Sequence, residues 1–439
     1  MTSDDEVEIL RASIFHTPAN PFEGATGMVS FKDGGLAIHQ GRIAGCGDYA
    51  DISAAHPRAS VCDLRGGFIL PGLIDTHVHF PQARILGGLG YSLLDWLTEL
   101  TLPEEARLAD PGYAAIIARE FVHGLVSHGT TTALVFGSHF RSATASLFET
   151  AQQVGIRIFS GLVLSDRGLL PELHQTPEEA YRDSQELIER FQGNTLLGYA
   201  VMPRFALSTN ESMLEVCRAL CLEYPGVRFT THINESVKEV DEVRRIFPWS
   251  TDYLSVYERF GLISRRSVLA HNIHASDGEL CRLALARASV AHCPSSNAAL
   301  GSGIFSMGRH LDAGVHFALG TDVGAGSGFG VLKEALQAYL LQRVAPEPTS
   351  LTSGQMLYLS TRAGAEALDL EDETGDLEPG KSADFIFLRP PEGSVLSSIV
   401  KHVDEPERIL STLFTLAGAE TIREVRVGGD VVFANPVTQ

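Results

Sequence analysis

One stretch decides the fold of this chain: it runs from residue 68 to residue 79 and reads Phe68-Ile-Leu-Pro-Gly-Leu-Ile-Asp-Thr-His-Val-His79. Residues 68–74 are mostly apolar and predict a buried strand, the first strand of the central part of the chain. His77 and His79 follow two positions apart, so their side chains lie on the same side of an extended backbone. Two imidazoles in this arrangement can bind one metal ion. The stretch therefore predicts a strand that ends in candidate metal ligands.

Strand-like and helix-like patterns alternate from this strand as far as residue 375. Apolar runs predict strands at 131–136, 156–164, 196–202, 228–232, 268–271, 289–292 and 317–321, and amphipathic segments predict helices at 113–127, 142–154, 178–191, 212–223 and 277–286. Strands separated by helices favour parallel βαβ units, and eight such strands predict a closed (β/α)8 TIM-like barrel over residues 71–375. An open doubly wound sheet is the alternative, although the sequence lacks the Gly-x-Gly-x-x-Gly motif of dinucleotide-binding sheets.

Both ends of the chain are rich in strand and turn patterns. Residues 35–45 predict two short strands joined by a turn, and residues 382–388 and 424–433 predict strands near the other end. Neither end is long enough to form a stable sheet alone. We therefore expect residues 1–70 and 376–439 to pair into one small β-sandwich domain beside the barrel.

The composition is typical of a globular protein that binds a small molecule. Of 439 residues, 44% are hydrophobic and 20% are charged, which provides ample material for a large core. The 34 Lys and Arg residues against 54 Asp and Glu residues give a formal net charge of −20. Such an acidic surface repels phosphate backbones and anionic lipids, which argues against nucleic acid and membranes as partners. A neutral or cationic small molecule fits better.

Several features favour a cytoplasmic location. The first nine residues contain the acidic run Asp4-Asp-Glu6 and lack the basic and apolar regions of a signal peptide. The sequence has no apolar run as long as a membrane span. The cysteines are scattered, as is typical of reduced thiols: Cys46, Cys62, Cys217, Cys221, Cys281 and Cys293.

Three further candidate metal ligands, His232, His271 and Asp322, lie at the carboxyl ends of predicted strands. In a (β/α)8 barrel these ends open onto one mouth, so all three would converge with His77 and His79. Taken singly, such a histidine is more often a core residue and such an aspartate a turn former, but their joint placement favours a metal site. Other histidines lack this grouping and are assigned to surface or packing roles: His123, His128, His139, His174, His274, His292, His310 and His316.

These candidate ligands indicate a hydrolytic metal centre. Imidazoles and a carboxylate without a thiolate suit zinc, although iron(II) accepts the same ligands. A divalent ion lowers the pKa of a bound water from 15.7 to about 7, which makes hydroxide available at neutral pH. Glu235 lies three residues beyond His232, where its carboxylate can act as a general acid and base.

Several motifs resemble those of the amidohydrolase superfamily. Residues 68–79 look like its first-strand signature, and the run Gly375-Asp-Leu-Glu-Pro-Gly-Lys-Ser-Ala-Asp-Phe385 resembles its return into the small β domain. Four motifs are similar to those of the guanine deaminases within the superfamily: His-Phe-Pro-Gln at 79–82, Pro-Arg-Phe at 203–205, Thr-His-Ile-Asn-Glu at 231–235 and Cys-Pro-Ser-Ser-Asn at 293–297. The resemblance covers essentially the whole chain.

This resemblance implies an activity and a set of site residues. The activity would be hydrolytic deamination of guanine to xanthine and ammonia, a cleavage of a C–N bond in a cyclic amidine, by a protein that forms a homodimer. One zinc ion would be bound by His77, His79, His232, His271 and Asp322. Glu235 and Asp322 would be catalytic. The purine would be held by Gln82, Arg204 and Phe205, with His79, His232, Glu235 and Asp322 beside it.

The side chains assigned to the purine suit that role. Arg204 offers a rigid fork of donors to the O6 and N7 edge of guanine. Gln82 can both donate and accept hydrogen bonds, and Phe205 offers a face to a planar ring.

Two other interpretations are weighed beside this one. The same metal site could serve another amino heterocycle such as a triazine, a pterin or cytosine, although Gln82, Arg204 and Phe205 suit a purine with an oxo group. The chain could also be a non-catalytic barrel, but such relatives usually lose ligands, and here every ligand is present. The predicted fourth strand ends at Met202-Pro-Arg204 without a lysine that could bridge two metals, so the resemblance favours the one-metal members, which are mostly deaminases.

Overall fold

The structure is a computed structural model of the protein and describes residues 7–24 and 27–435. The acidic run at residues 4–6 lies outside the described residues. The described residues form the strands β1 Glu8–His16, β2 Val29–His39, β3 Arg42–Asp48, β4 Ser60–Pro71, β5 Leu73–His79, β6 Thr130–Phe136, β7 Arg157–Gly161, β8 Val163–Leu164, β9 Leu197–Pro203, β10 Arg228–Ile233, β11 Ser267–His271, β12 Ser289–His292, β13 His316–Leu319, β14 Phe385–Leu388, β15 Ile422–Val427 and β16 Asp430–Ala434.

Helices follow most of the central strands. They are α1 Tyr49–Ala55, α2 Leu93–Trp96, α3 Leu102–Ala106, α4 Pro111–Ser127, α5 Arg141–Val154, α6 Pro177–Phe191, α7 Glu211–Glu223, α8 Val237–Ile246, α9 Tyr253–Arg259, α10 Asp277–Ala286, α11 Pro294–Ala299, α12 Met307–Asp312, α13 Val331–Val344, α14 Ser353–Ser360, α15 Arg362–Ala367, α16 Val395–Val400 and α17 Pro406–Leu416. Short turns of 3₁₀ helix lie at Phe80–Gln82, Arg107–Ala109, Pro171–Leu173, Ala206–Ser208 and Ala419–Thr421, and a π-helical turn at Leu97–Thr101 joins α2 to α3.

The central strands form a nearly closed parallel barrel. They pair in the order β13-β12-β11-β10-β9-β7-β6-β5, with β8 beside β9. Between β13 and β5, the two ends of this order, backbone hydrogen bonds join the chain after β13 to β5. Asp322 donates one to His77 (2.9 Å), and His79 donates one to Val323 (3.0 Å). The predicted (β/α)8 barrel is confirmed, and the open doubly wound alternative is excluded.

The sequence explains why these strands are parallel and enclosed. All seven residues of β6 are buried, as expected for a parallel strand covered on both faces. Two of the covering helices begin at strong caps: Asp110 accepts hydrogen bonds from the first turn of α4, and Thr176 forms a reciprocal capping box with Glu179 in α6. The start of each of these two helices therefore follows from the local sequence. The buried side of each helix packs against the strands.

The first predicted strand, 68–74, is wrong in one respect. The structure divides the apolar run at Gly72, so that residues up to Pro71 form β4 of the second sheet and β5 begins at Leu73. At Gly72 the backbone approaches Thr131 so closely that a Cβ atom would lie 2.1 Å from Oγ1 of Thr131. The predicted strand at 156–164 likewise divides into β7 and β8, whereas the other predicted strands and helices of the barrel agree within two residues.

A second sheet combines both ends of the described chain. Its order is β16-β15-β14-β4-β1-β2-β3, and β14 pairs antiparallel with β4 in the register Ile69 to Phe387. The sheet has its own apolar cluster, which includes Leu10, Ile38 and Phe385. This confirms that strands from the two ends form one additional sheet, while the division at residues 70 and 375 stays a prediction.

The described residues contain no helix that is both long enough and apolar enough to cross a bilayer.

Candidate metal centre and purine pocket

The five candidate ligands lie at the carboxyl-end mouth of the barrel. His77 and His79 are among the last three residues of β5, His232 lies near the end of β10, and His271 is the last residue of β11. Asp322 follows β13 by three residues. All five are largely buried, and parallel strands bring them together from positions far apart in the sequence.

The ligand atoms converge on one small volume. Nε2 of His79 lies 3.2 Å from Nε2 of His77 and 3.2 Å from Nε2 of His232. Oδ1 of Asp322 lies 3.3 Å from Nε2 of His77 and 3.2 Å from Nε2 of His79. Nε2 of His271 completes the group at 3.9 Å from Oδ2 of Asp322.

The hydrogen bonds around this cluster fit a bound cation. Nδ1 of His232 donates to the carbonyl oxygen of Arg204 (2.6 Å), and Nδ1 of His271 donates to Oδ1 of Asn297 (2.9 Å). A neutral imidazole that donates from Nδ1 presents a lone pair on Nε2, so lone pairs and the Asp322 carboxylate face each other. Among the described residues, buried Nε2 of His271 has no hydrogen-bond partner. A divalent cation bound by imidazoles and a carboxylate satisfies this set of acceptors.

Two of the candidate ligands have a left-handed backbone. The φ angle is 72° at His271 and 48° at Asp322, and the neighbours Asn234 and Asn272 are at 52° and 49°. Such angles are unfavourable for residues other than glycine and concentrate at functional sites. Here they occur at or within three residues of the carboxyl ends of β10, β11 and β13, beside the cluster.

The electrostatics of the cluster follow from burial. Burial lowers the pKa of His77 to about 4 and holds the pKa of His232 well below its ordinary value, so both imidazoles are neutral and able to bind a metal. Burial alone would raise the pKa of Asp322, but its contacts with His77 and His79 hold it well below the ordinary range.

Glu235 lies beside the cluster, two residues after β10. Its Oε2 is 3.5 Å from Nε2 of His271, and its Oε1 accepts a hydrogen bond from Ser302 at 3.3 Å. Burial raises the pKa of Glu235 to about 7. A carboxyl group that exchanges a proton near neutrality is suited to general acid–base chemistry.

A small cavity connects the cluster with the residues predicted to hold a purine. Gln82, Arg204 and Phe205 all line it, together with Glu235 and the candidate ligands His79, His232, His271 and Asp322. The remaining wall is apolar and comes mainly from the segment of α2, the π-helical turn and the loops opposite: Leu93, Trp96, Leu97, Leu300 and Ala325. The structure therefore places a mostly apolar slot with a polar edge against the cluster of candidate ligands.

The polar edge depends on a residue that the sequence analysis missed. Glu105, on α3, accepts a hydrogen bond from Nε2 of Gln82 at 2.9 Å and forms an ion pair with Nη1 of Arg204 at 2.6 Å. Its neighbour in the sequence is also a glutamate, and two acidic residues near a helix start are usually solvent-exposed. The sequence therefore contains no signal that Glu105 is buried in the site.

The Cys-Pro-Ser-Ser-Asn motif contacts two of the candidate ligands. Ser296 donates to Oδ2 of Asp322 at 2.6 Å, and Asn297 accepts from His271. Ser295 is fixed in turn by Oε1 of Glu334 at 2.6 Å. The sequence shows this motif only as part of a resemblance, and the structure shows which candidate ligands its side chains contact.

Two histidines outside the ligand set, His292 and His274, make packing or hydrogen-bond contacts near the mouth. His292 stacks on Phe305 with ring centroids 4.4 Å apart, and His274 contacts the Ser302 carbonyl oxygen at 2.9 Å. His139 differs from these two, because its Nδ1 lies 3.6 Å from Oε2 of Glu105, next to the polar edge.

Comparisons with known proteins agree with this geometry. The family model described as "Amidohydrolase family" matches residues 68–432. A Deinococcus radiodurans protein named "Probable guanine deaminase" is 54% identical over 98% of this chain and 99% of its own length. The guanine deaminase of Escherichia coli is 34% identical over 99% of both chains.

Solved structures show the same relationship in three dimensions. The structure of E. coli guanine deaminase superposes with a TM-score of 0.92 over 98% of this chain and 99% of that one, at 33% identity. Guanine deaminase from Bradyrhizobium japonicum gives a TM-score of 0.93 over 98% of this chain and 100% of that one, at 31% identity. The chain therefore belongs to the amidohydrolase family and, within it, to the group of the guanine deaminases.

Proposed function

We propose that this chain hydrolyses the exocyclic amino group of guanine to give xanthine and ammonia. One observation supports this most strongly: three of the clustered histidines, Glu235, and the Gln82 and Arg204 edge all line the same small cavity. The cavity thus combines a centre that can activate water with a polar edge for an oxo-substituted ring. Near-full-length similarity to guanine deaminases supports the same substrate.

We assign the metal to five residues, His77, His79, His232, His271 and Asp322. When bound there, a divalent ion supplies a water acidified to a pKa of about 7. The donor set favours zinc, and iron(II) accepts the same ligands. Asn297 and Ser296 would hold His271 and Asp322 in orientation through their hydrogen bonds.

Glu235 moves the protons of the reaction in this proposal. It takes a proton from the water that attacks C2 of guanine and delivers a proton to N3, so that negative charge does not accumulate on the ring. When the tetrahedral carbon collapses, Glu235 or Asp322 takes the remaining water proton from the hydroxyl group on C2 and passes it to the amino group, which leaves as ammonia while the C2 carbonyl forms. Ser302, which donates to Oε1 of Glu235, holds the carboxyl group while Oε2 faces the cluster.

The purine is recognised by polar groups at its edge and apolar groups over its faces. Arg204 has five N–H groups and uses one for Glu105, so donors remain for O6 and N7 of guanine. Phe205 and Leu97 belong to the apolar cluster that walls the slot, and they suit a planar ring. Guanine is neutral at pH 7, as the net charge of −20 favours.

The test is ammonia release by the purified protein from guanine, adenine, cytosine and melamine-type triazines. We expect rapid release from guanine and far slower release from the others, because only guanine combines a C2 amino group with an oxo group for Arg204. Rapid release from another heterocycle, with guanine inert, would refute the substrate assignment while leaving the hydrolytic centre intact.

We further propose zinc as the native metal, a homodimer and a cytoplasmic role in purine catabolism. The donor set supports zinc, and the resemblance to guanine deaminases supports the other two. Metal analysis of protein expressed without added zinc and light scattering of the purified protein test the first two.

A further inference from the structure

Glu105 is a buried carboxylate shared by the two polar residues at the purine edge. It is 2% exposed, and its two oxygens are divided between them: Oε1 accepts from Gln82 and Oε2 from Arg204. Glu105 itself does not line the cavity, so it lies behind these residues rather than against a ligand.

The bonds to Glu105 determine how the Gln82 amide is turned. A carboxylate only accepts, so the Gln82 atom that faces Glu105 must be Nε2. On the other side the backbone N–H of Gly324 donates to Oε1 at 3.1 Å, and this requires the amide oxygen there. Each contact excludes the flipped amide, and together they leave one orientation.

This orientation leaves a defined set of groups for a ligand. The Gln82 amide keeps one N–H and one acceptor lone pair, and Arg204 keeps the N–H groups not used by Glu105. A donor beside an acceptor is complementary to an oxo group next to a ring N–H, which is the edge of a 6-oxopurine. A purine without the oxo group offers no such edge.

Glu105 also controls the position of the Arg204 side chain. Arg204 is 3% exposed, and a buried guanidinium without its carboxylate would be strongly destabilised in place. His139 lies next to Oε2 of Glu105, and a neutral imidazole cannot replace a carboxylate as the partner of Arg204. Without Glu105, both residues at the edge would therefore lose their fixed geometry.

We propose that Glu105 is the positioning residue that sets specificity for the 6-oxo edge of the substrate, by fixing Gln82 and Arg204. The inference rests on the proposed function for the identity of that edge. It assigns to Glu105 no contact with the substrate and no part in proton transfer.

The test compares ligands that differ only at this edge. Hypoxanthine carries the 6-oxo group and purine does not, so their dissociation constants are measured by calorimetry on the metal-loaded wild type and on Glu105→Gln. We expect Glu105→Gln to weaken hypoxanthine binding by about 30-fold, the range for a lost charge-assisted hydrogen bond, and to leave purine binding unchanged. Glu104→Gln, on the same helix but paired with Arg107, is the matched control and leaves both constants unchanged.

Two results would overturn the proposal. Unchanged hypoxanthine binding would show that Glu105 does not act on the edge, and an equal loss for both ligands would show a merely structural role. If Glu105→Gln does not fold, Glu105→Asp keeps the charge and retracts the carboxylate by one methylene, and we expect a selective loss of about 10-fold for hypoxanthine. Guanine turnover by the wild type tests the proposed function separately, because these binding constants do not depend on catalysis.

Discussion

Glu235 combines complete burial with a position between the cluster and the Ser302 hydroxyl. We expect Glu235→Gln to keep the metal and to lower kcat for guanine by about 1,000-fold, because an amide of the same shape cannot accept or release a proton. Steady-state turnover and metal content are measured on the same samples. Glu242→Gln, exposed on α8 and paired with Arg245, is the control and keeps normal turnover. Normal turnover by metal-loaded Glu235→Gln would remove Glu235 from the proton transfer.

Some site residues can be predicted from the sequence, and others cannot. His77, His79, His232, His271 and Asp322 could be proposed because metal-binding residue types stand at predicted strand ends. Glu105 could not, because it lies on a short helix that has no strand beside it and reads as solvent-exposed. Its burial arises only when α3 packs over Gln82 and Arg204, a contact between segments about 100 residues apart.

The short helix α11 carries a residue that contacts one of the candidate metal ligands. Its residue Asn297 accepts from Nδ1 of His271 and so keeps the lone pair of Nε2 towards the cluster. We expect Asn297→Ala to weaken zinc binding by 10-fold to 100-fold, about the cost of losing a hydrogen bond that orients a ligand. Chelator competition measures the zinc dissociation constant, with Ala298→Ser, on an exposed position of the same helix, as the control. Zinc affinity equal to that of the wild type would show that Asn297 does not orient His271.

The elements of the barrel were predictable where the hydrophobic period is clear. The helices α4, α5, α6, α7 and α10 and most barrel strands follow from these patterns. The run at 68–79 was not resolved into β4 and β5, because both strands are buried and hydropathy is continuous across Gly72. The short helices α2 and α3 over the cavity were not predicted, since helices of four or five residues have no usable period.

For the whole molecule, His16 links the two ends of the chain. It ends β1, and its Nδ1 accepts a hydrogen bond from the backbone N–H of Leu377 at 3.4 Å. Burial lowers the pKa of His16 to about 4, against 6.5 for an unperturbed histidine. The unfolded chain therefore binds this proton below pH 6.5 and the folded chain only near pH 4, so acid removes stability across that window.

We expect His16→Asn to lose part of this acid sensitivity, because an amide oxygen can accept from Leu377 and does not titrate. Between pH 7 and pH 5 the unfolding free energy of the wild type should fall by about 2 kcal/mol more than that of the variant. Denaturant titration at the two pH values measures the difference. Equal losses in both proteins would show that His16 does not set the acid response.

The overall architecture was predictable because both chain ends carry strand patterns too short to stand alone, and the structure joins them in one sheet. The sequence does not predict that β4 of this sheet and β5 of the barrel follow each other with only Gly72 between them.

We propose that guanine is hydrolysed at a metal centre built from four histidines and Asp322. The most direct measurement counts xanthine and ammonia formed from guanine, together with metal per chain, before chelation, after chelation and after zinc is restored. We predict equal amounts of xanthine and ammonia, and a rate that rises in proportion to occupancy up to one ion per chain. Undiminished xanthine formation by metal-free protein, or none by protein that holds one ion per chain, would contradict metal-dependent hydrolysis of guanine at this site.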